Sequence, residues 1–291
     1  MPLGWRRTMA VDAPVAAPRL TVAELVSRLE AGVREVQDGE GWRAYLAAMS
    51  RFHQYSAGNL WLILAQMPAA TRACGFHGWL RLGRHVKKGE HGIKILAPVA
   101  VRRSDREDAE DEPQTVTRFR VVTVFDISQT EGDPLPEHPC QALTTASERG
   151  SWLYGRLLEV ARSQGVQVRE GMTGLGRAHG VFVPGANTIG LAPGLSTDQA
   201  AKTLCHELAH ALLHAHGDQP RAEQEAEAEG VAFVVTAWAG LDTSAYSFAY
   251  VADWAGRKDG AALIRRVGST IQKTAARIID RLAPAETSQS A

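Results

Sequence analysis

The sequence predicts an α+β protein of two domains, and three observations predict it. At 291 residues the chain is about twice an ordinary domain in length. Helix-period segments and β-branched runs recur in both halves. Between the halves lies a proline-rich polar stretch, residues 131–147 (EGDPLPEHPCQALTTAS), the best linker in the chain. The expected organisation is a lead-in at 1–19, a first domain at 20–130, the linker, a second domain at 148–282 and a tail at 283–291.

The lead-in carries arginines but no apolar core, and Asp12 and prolines interrupt it, so it reads as disordered rather than as a signal peptide. Residues 21–38 place Val22, Leu25, Val26, Leu29 and Val33 on a helical period opened by Thr21. Residues 41–49 form a second short helix and 58–67 a third, ended by Pro68. The β-branched runs Ile93 to Val101 and Val116 to Phe125 are strands, and the KKGEHG segment between Val86 and Ile93 is a hairpin loop. The acidic run SDREDAEDEPQ between these strands is a solvated loop. In the second half the pattern gives a helix at 149–164, strands at 166–170, 180–183 and 188–191, and helices at 196–215 and 220–238. A last helix at 260–282 repeats Leu263, Ile264, Val267, Ile271, Ala275, Ile278 and Leu282 on one packing face.

Composition narrows the function little. Thirty-two basic and thirty-two acidic residues cancel, so net charge names no partner. Cys74, Cys140 and Cys205 are odd in number and far apart, which excludes a disulfide framework and suits a reducing cytoplasm. The longest apolar run, Leu60 to Ala65, falls far short of the roughly 20 residues that span a bilayer, so no membrane association is expected.

The strongest local signal is TLCHELAHALLHAHG. At about 100° per residue, His206 and His210 share a helix face and can point both imidazoles at one zinc ion. Glu207 is one step round, placed to hold a coordinated water without ligating the ion, so it is the candidate general base and acid. His216 stands where a broken-helix motif would place a third histidine. Leu213 occupies the position where that motif needs glycine, so His216 and His214 are expected to be surface residues near the helix end. The third ligand is sought instead in RAEQEAEAEGVAF, where Glu225 and Glu229 share one face and Glu223 and Glu227 another. Periodicity does not choose between the pairs, and at least two of the four glutamates are expected on a solvated face. Cys205 points off the metal face and is expected to be buried.

A second signal lies in the first half. From Thr71 to Arg103, Arg72, Arg81, Arg84, Lys87, Lys88, Lys94, Arg102 and Arg103 face only one acid, Glu90, with Phe76 and Trp79 interleaved. Cations that track phosphates and rings that stack on bases are what single-strand binding needs. The same aromatics, with Trp61, also suit a core.

Two stretches resemble known families. H-E-L-A-H followed by Glu225, Ala228 and Glu229 resembles the gluzincin-like peptidases of the ImmA/IrrE type. That resemblance implies Glu225 as the third zinc ligand and Glu229 as a partner that supports a ligand histidine. YSAGNLWLILAQMPAATRACGFHGWLRLGRHVKKGEHGIKILAPV and FRVVTVFDISQTEGDPLP resemble the N-terminal domain of ArdC-type antirestriction proteins. This implies a mixed α/β domain that binds single-stranded DNA, through residues such as Arg72, Trp79, Arg81, Arg84, Lys87, Lys88 and Lys94, joined to a zincin-like metallopeptidase domain. The expected partners are single-stranded DNA and a protein substrate. Two other roles use the same parts: a regulatory peptidase that cuts a repressor, or a DNA-shielding protein whose metal is structural. Tyr246 and Tyr250 are the candidates for stabilising the oxyanion.

Overall fold

The computed structural model describes residues 21–36, 38–102, 115–135, 146–215, 219–243, 246, 248, 251, 254 and 257–282. The expected lead-in and tail, the acidic loop at 103–114, His216 and Tyr250 therefore lie outside the described residues, as does most of the linker.

Three helices open the chain: α1 (Val22–Glu35), α2 (Gly39–Arg51) and α3 (Ala57–Gln66). Asp38 caps α2 by accepting from Gly41 N–H, and Ser56 caps α3 by accepting from Asn59 N–H. Strand β1 (Ala73–Gly75) and the short helix α4 (Phe76–Arg81) follow, then β2 (Arg84–Val86), β3 (Ile93–Arg102), β4 (Thr115–Asp126) and β5 (Thr130–Gly132). Strand β4 lies central in an antiparallel sheet of order β1–β4–β3. Ile93 and Ile95 stand opposite Val124 and Val122, the apolar face of that sheet. The outer edge of β3 would leave backbone groups unpaired, and α3 closes it: the Asn59 amide bonds Leu96 N–H and C=O, and the Gln66 amide bonds those of Lys94.

The KKGEHG segment is not a hairpin loop. Strand β2 pairs with β5, not with β3, so the segment carries the chain from one sheet to another. Thr130–Gly132 is the second strand of that ribbon, so the start of the expected linker is ordered structure.

The second half contains α5 (Ala146–Ser163), β6 (Gln167–Arg169), β7 (Gly180–Val183), β8 (Thr188–Leu191), α6 (Thr197–Leu213), α7 (Arg221–Trp238) and α8 (Gly260–Leu282). Strand β8 is central, parallel to β6 and antiparallel to β7, which leaves β7 as an edge. Helix α6 packs on α5, α7, β7 and β8. All seven apolar residues of the α8 stripe are buried. Gly230 lets α8 approach α7: a Cβ there would lie 2.3 Å from Ile271 Cδ1.

The two halves share one apolar core, running from Leu25 through Trp42 and Leu60 to Phe233, Ile271 and Leu282. Helix α2 packs on α7, and α8 also touches α1 and α3. The Gln272 amide on α8 donates to the carbonyls of Phe52, His53 and Tyr55.

Candidate metal centre

Ser196 starts α6 by accepting from Gln199 N–H. From there Ala201, Leu204, Cys205, Leu208 and Ala209 are wholly buried, which fixes the rotation of the helix. His206 and His210 are thereby turned into a cleft of about 740 Å³ between α6, α7 and the edge strand β7. Glu225 reaches the same cleft from the first half of α7.

The three groups converge. His206 Nε2 and His210 Nε2 are 3.1 Å apart, and Glu225 Oε2 is 3.5 Å and 3.6 Å from them. Ligands at about 2.0–2.1 Å from a tetrahedral ion stand about 3.3 Å from one another, so the triangle has the right edge for one. Two imidazoles and a carboxylate are a donor set that suits a divalent transition-metal ion. Among the described residues, these three are the group of His, Cys, Asp and Glu side chains so arranged.

Charge supports the cluster. Hydrogen bonds from His206 and His210 hold the Glu225 carboxyl far below the usual carboxylate range. Burial alone would lower the His206 pKa, but Glu225, with Glu207 and Glu229, outweighs it and raises it. Glu207 is buried and, unlike Glu225, has its carboxyl pKa raised. Burial raises its carboxyl pKa, against the pull of His206, His210 and a hydrogen bond from Phe182 N–H. Glu207 lies against β7, where a Cβ added at Gly180 would stand 3.2 Å from its Oε1. The approach needs glycine at 180, where a Cβ would lie 2.5 Å from Thr203 Cγ2 and 3.0 Å from Glu207 Cγ. Glu229 and Tyr246 also line the cleft, with Lys202 Nζ 5.8 Å from the Tyr246 ring centre. Cys205 is fully buried, and burial pushes its thiol up to about 12, as expected of a packing residue rather than a ligand.

His214 is not a surface residue. It is the next step after His206 and His210 on the same stripe, and α7 covers it. Its Nδ1 lies 3.0 Å from His210 Nδ1 and its Nε2 lies 3.0 Å from Glu227 Oε2. His214 and Glu227 side chains are 3% and 1% exposed. An ion held by His210 Nε2 would fix every proton in this chain: His210 Nδ1–H would donate to His214 Nδ1, and His214 Nε2–H to Glu227. Of the four glutamates of α7, Glu227 is buried and Glu223, Glu225 and Glu229 are partly exposed, Glu225 with 46% of its side chain accessible. Glu227 is buried on His214, Glu223 pairs with Arg266 on α8 (2.6 Å), and Glu225 and Glu229 line the cleft. The i, i+4 recurrence of His214 was the available signal. Its partner lies on another helix and left none.

The residues expected to touch DNA divide into three groups. Trp79 is 2% exposed and donates its indole N–H to Phe125 C=O, so the core reading of this residue is the one its burial favours; Phe76 is the exposed ring, at 46%. Arg84 is a clamp on the β2–β5 ribbon, donating to Thr130 Oγ1, Thr130 C=O, Gly132 C=O and Asp133 C=O. Lys94 Nζ donates to Thr123 Oγ1, and Lys87 Nζ to Ser128 C=O. Arg72, Arg81, Lys87 and Lys88 are exposed. Arg118 and Arg120 on β4 are exposed cations outside the 71–103 window.

Residues 19–125 match the model of the N-terminal domain of anti-restriction factor ArdC, and residues 161–246 match the peptidase M78 model, an IrrE N-terminal-like domain. The uncharacterized protein pXO2-81 of Bacillus anthracis is 27% identical over 244 residues, which cover 71% of this chain and 41% of that protein. The chain thus spans less than half the length of that relative. Two crystal structures of antirestriction protein ArdC from the R388 plasmid are 22% identical to it. The metal-free one has a TM-score of 0.48 and covers 78% of this chain and 84% of that one; the Mn(II)-bound one has a TM-score of 0.46 and covers 79% and 85%. With an ArdC N-terminal domain followed by an IrrE-like peptidase domain, the chain is a two-domain protein of the ArdC type.

Proposed function

We propose that the chain is a zinc metallopeptidase of antirestriction type that binds single-stranded DNA and hydrolyses a protein substrate. The observation that carries the peptidase reading is the placement of Glu207, a buried carboxylate beside the His206–His210–Glu225 triangle and against an edge strand. A purely structural metal has no use for an open cleft or for such a carboxylate.

His206, His210 and Glu225 would hold the ion, and Glu229 would support the histidines from the cleft wall. When bound, zinc supplies Lewis-acid polarisation and acidifies water. The chain supplies the rest. Glu207 accepts the proton of the attacking water and returns it to the leaving amine. The free edge of β7 offers backbone groups to an extended peptide. Tyr246 and, on α6 itself, Lys202 also line the cleft and can donate hydrogen bonds there.

The DNA reading is supported by the matched ArdC N-terminal domain and by the exposed Arg72, Arg81, Lys87 and Lys88. One experiment tests both parts. Glu207→Gln in the full chain should keep about one zinc per chain and its single-strand affinity while hydrolysis is lost. Full protection from restriction by that variant in cells would show that binding alone suffices, and would demote the peptidase. Absence of zinc from the wild-type protein would sink the metal reading outright.

A further inference from the structure

A second cavity, of about 610 Å³, lies where the two halves meet. One wall is the α2–α3 connection with Arg51, His53 and Tyr55. Another is the approach to β1 with Arg72, and the third is the end of α7 with Trp238. Its lining contains two arginines and a histidine but no Asp or Glu. Arg51 and Arg72 are exposed, and neither guanidinium has a carboxylate partner among the described residues. His53 keeps Nδ1 buried without a hydrogen-bond partner among the described residues, while its Nε2 lies 4.0 Å from Asp280 on α8. Tyr55 and Trp238 supply the aromatic part of the wall, with Trp79 buried beneath it.

From this juxtaposition we infer that the cavity between the halves takes one nucleotide, its phosphate on Arg51 and Arg72 and its base against Tyr55 and Trp238. An unopposed arginine pair selects an anion with fork-like oxygens. The volume is that of a small-molecule site and far exceeds a bare phosphate. The partly exposed rings of Tyr55 and Trp238 beside the cations suit a flat base. The nucleotide can come from a bound strand or from free solution. In the first case the inference rests on the single-strand reading above and moves an essential contact away from the KKGEHG segment. Trp238 ends the helix that carries Glu225, so an occupant of the cavity would touch the helix of the metal site.

The test uses the full chain, with fluorescence anisotropy of a labelled eight-nucleotide deoxythymidine strand and competition by free dTMP, free dAMP and inorganic phosphate. Arg51→Gln/Arg72→Gln and Arg51→Glu/Arg72→Glu are compared with Lys87→Glu/Lys88→Glu, with thermal unfolding and metal content as checks on folding. Competition by a free mononucleotide, and at least about tenfold weaker binding in the arginine variants, are expected; tenfold corresponds to about 1.4 kcal/mol. A mononucleotide that binds a wild-type protein unable to bind the strand would overturn the single-strand reading and leave the cavity a site for free nucleotides. Strand binding that ignores mononucleotides and both arginine variants, yet falls on reversal of Lys87 and Lys88, would overturn the cavity and leave the single-strand reading standing. Competition by phosphate as strong as by mononucleotide would also overturn it, because no base would then be recognised.

Discussion

At the scale of single residues, the buried Glu227–His214–His210 chain makes a claim that the triangle alone does not. His210 Nε2 faces the cleft only because Nδ1 is occupied, and His214 is held in turn by a carboxylate with nowhere else to go. Glu227→Gln and His214→Phe should each weaken metal binding by about 10–100-fold, measured by competition with a chelating dye. Unchanged affinity in both variants would assign the pair to packing. Glu229→Gln, which removes a charge from the cleft wall, separates the role expected of Glu229 from that of Glu227. The histidine pair and Glu207 were legible because their spacing lies within one turn of one helix. Periodicity left the choice among four glutamates open, because it depends on how α7 is rotated against α6, and the family resemblance supplied Glu225. His214 was misjudged for the same reason: a helix stripe shows which residues share a face, not what covers it.

At the scale of elements, strands β7 and β8 and helix α8 match the residues expected from sequence, since each carries an uninterrupted apolar pattern. The three-residue strands β1, β2 and β5 and the six-residue α4 were missed or misassigned. Segments that short have no period to detect, and their pairing is decided by distant partners. Asp126 illustrates this. It ends β4 and accepts from the N–H groups of Thr71, Arg72 and Ser128, joining segments 54 residues apart. Burial would raise its carboxyl pKa, but these backbone bonds outweigh that and lower it. The unfolded chain then binds the proton more readily. The contribution is therefore complete above the ordinary carboxylate pKa of about 4 and is lost as pH falls toward the depressed folded value. Asp126→Asn should lower stability at neutral pH by about 1.5–3 kcal/mol in denaturant unfolding, and the gap from wild type should close in acid. A gap independent of pH would mean that shape, not charge, is what Asp126 provides. Gly230→Ala addresses the α7–α8 crossing: its Cβ would press on Ile271. A loss of about 1–3 kcal/mol is expected, with metal affinity little changed.

At the scale of the whole molecule, the sequence expects two domains joined by a linker, and the shared core and the docking of α8 on α1 and α3 pack them against each other. Nothing in the linker sequence could show this, because the contacts join residues some 200 positions apart. Arg43 is the most direct of these ties. From α2 its guanidinium donates to Thr243 C=O (2.9 Å) and to Tyr246 C=O, and it lies 5.8 Å and 5.6 Å from the ring centres of Phe233 and Phe248. An N-terminal side chain thus positions the backbone of Tyr246, which lines the metal cleft. Arg43→Met keeps much of the apolar stem and removes the donors. On the peptidase reading it should leave zinc stoichiometry intact, because no ligand has moved, and should leave single-strand affinity intact, because Arg43 is outside the exposed basic residues. It should lower the rate of peptide hydrolysis, through kcat more than KM, because the wall that faces the reacting carbonyl is loosened. Tyr246→Phe is the matching variant: if Arg43 acts through Tyr246, the double variant should be no slower than the slower single one. Multiplicative losses would show that Arg43 reaches the cleft by another route, and a wild-type rate in Arg43→Met would show that the halves are joined for stability alone.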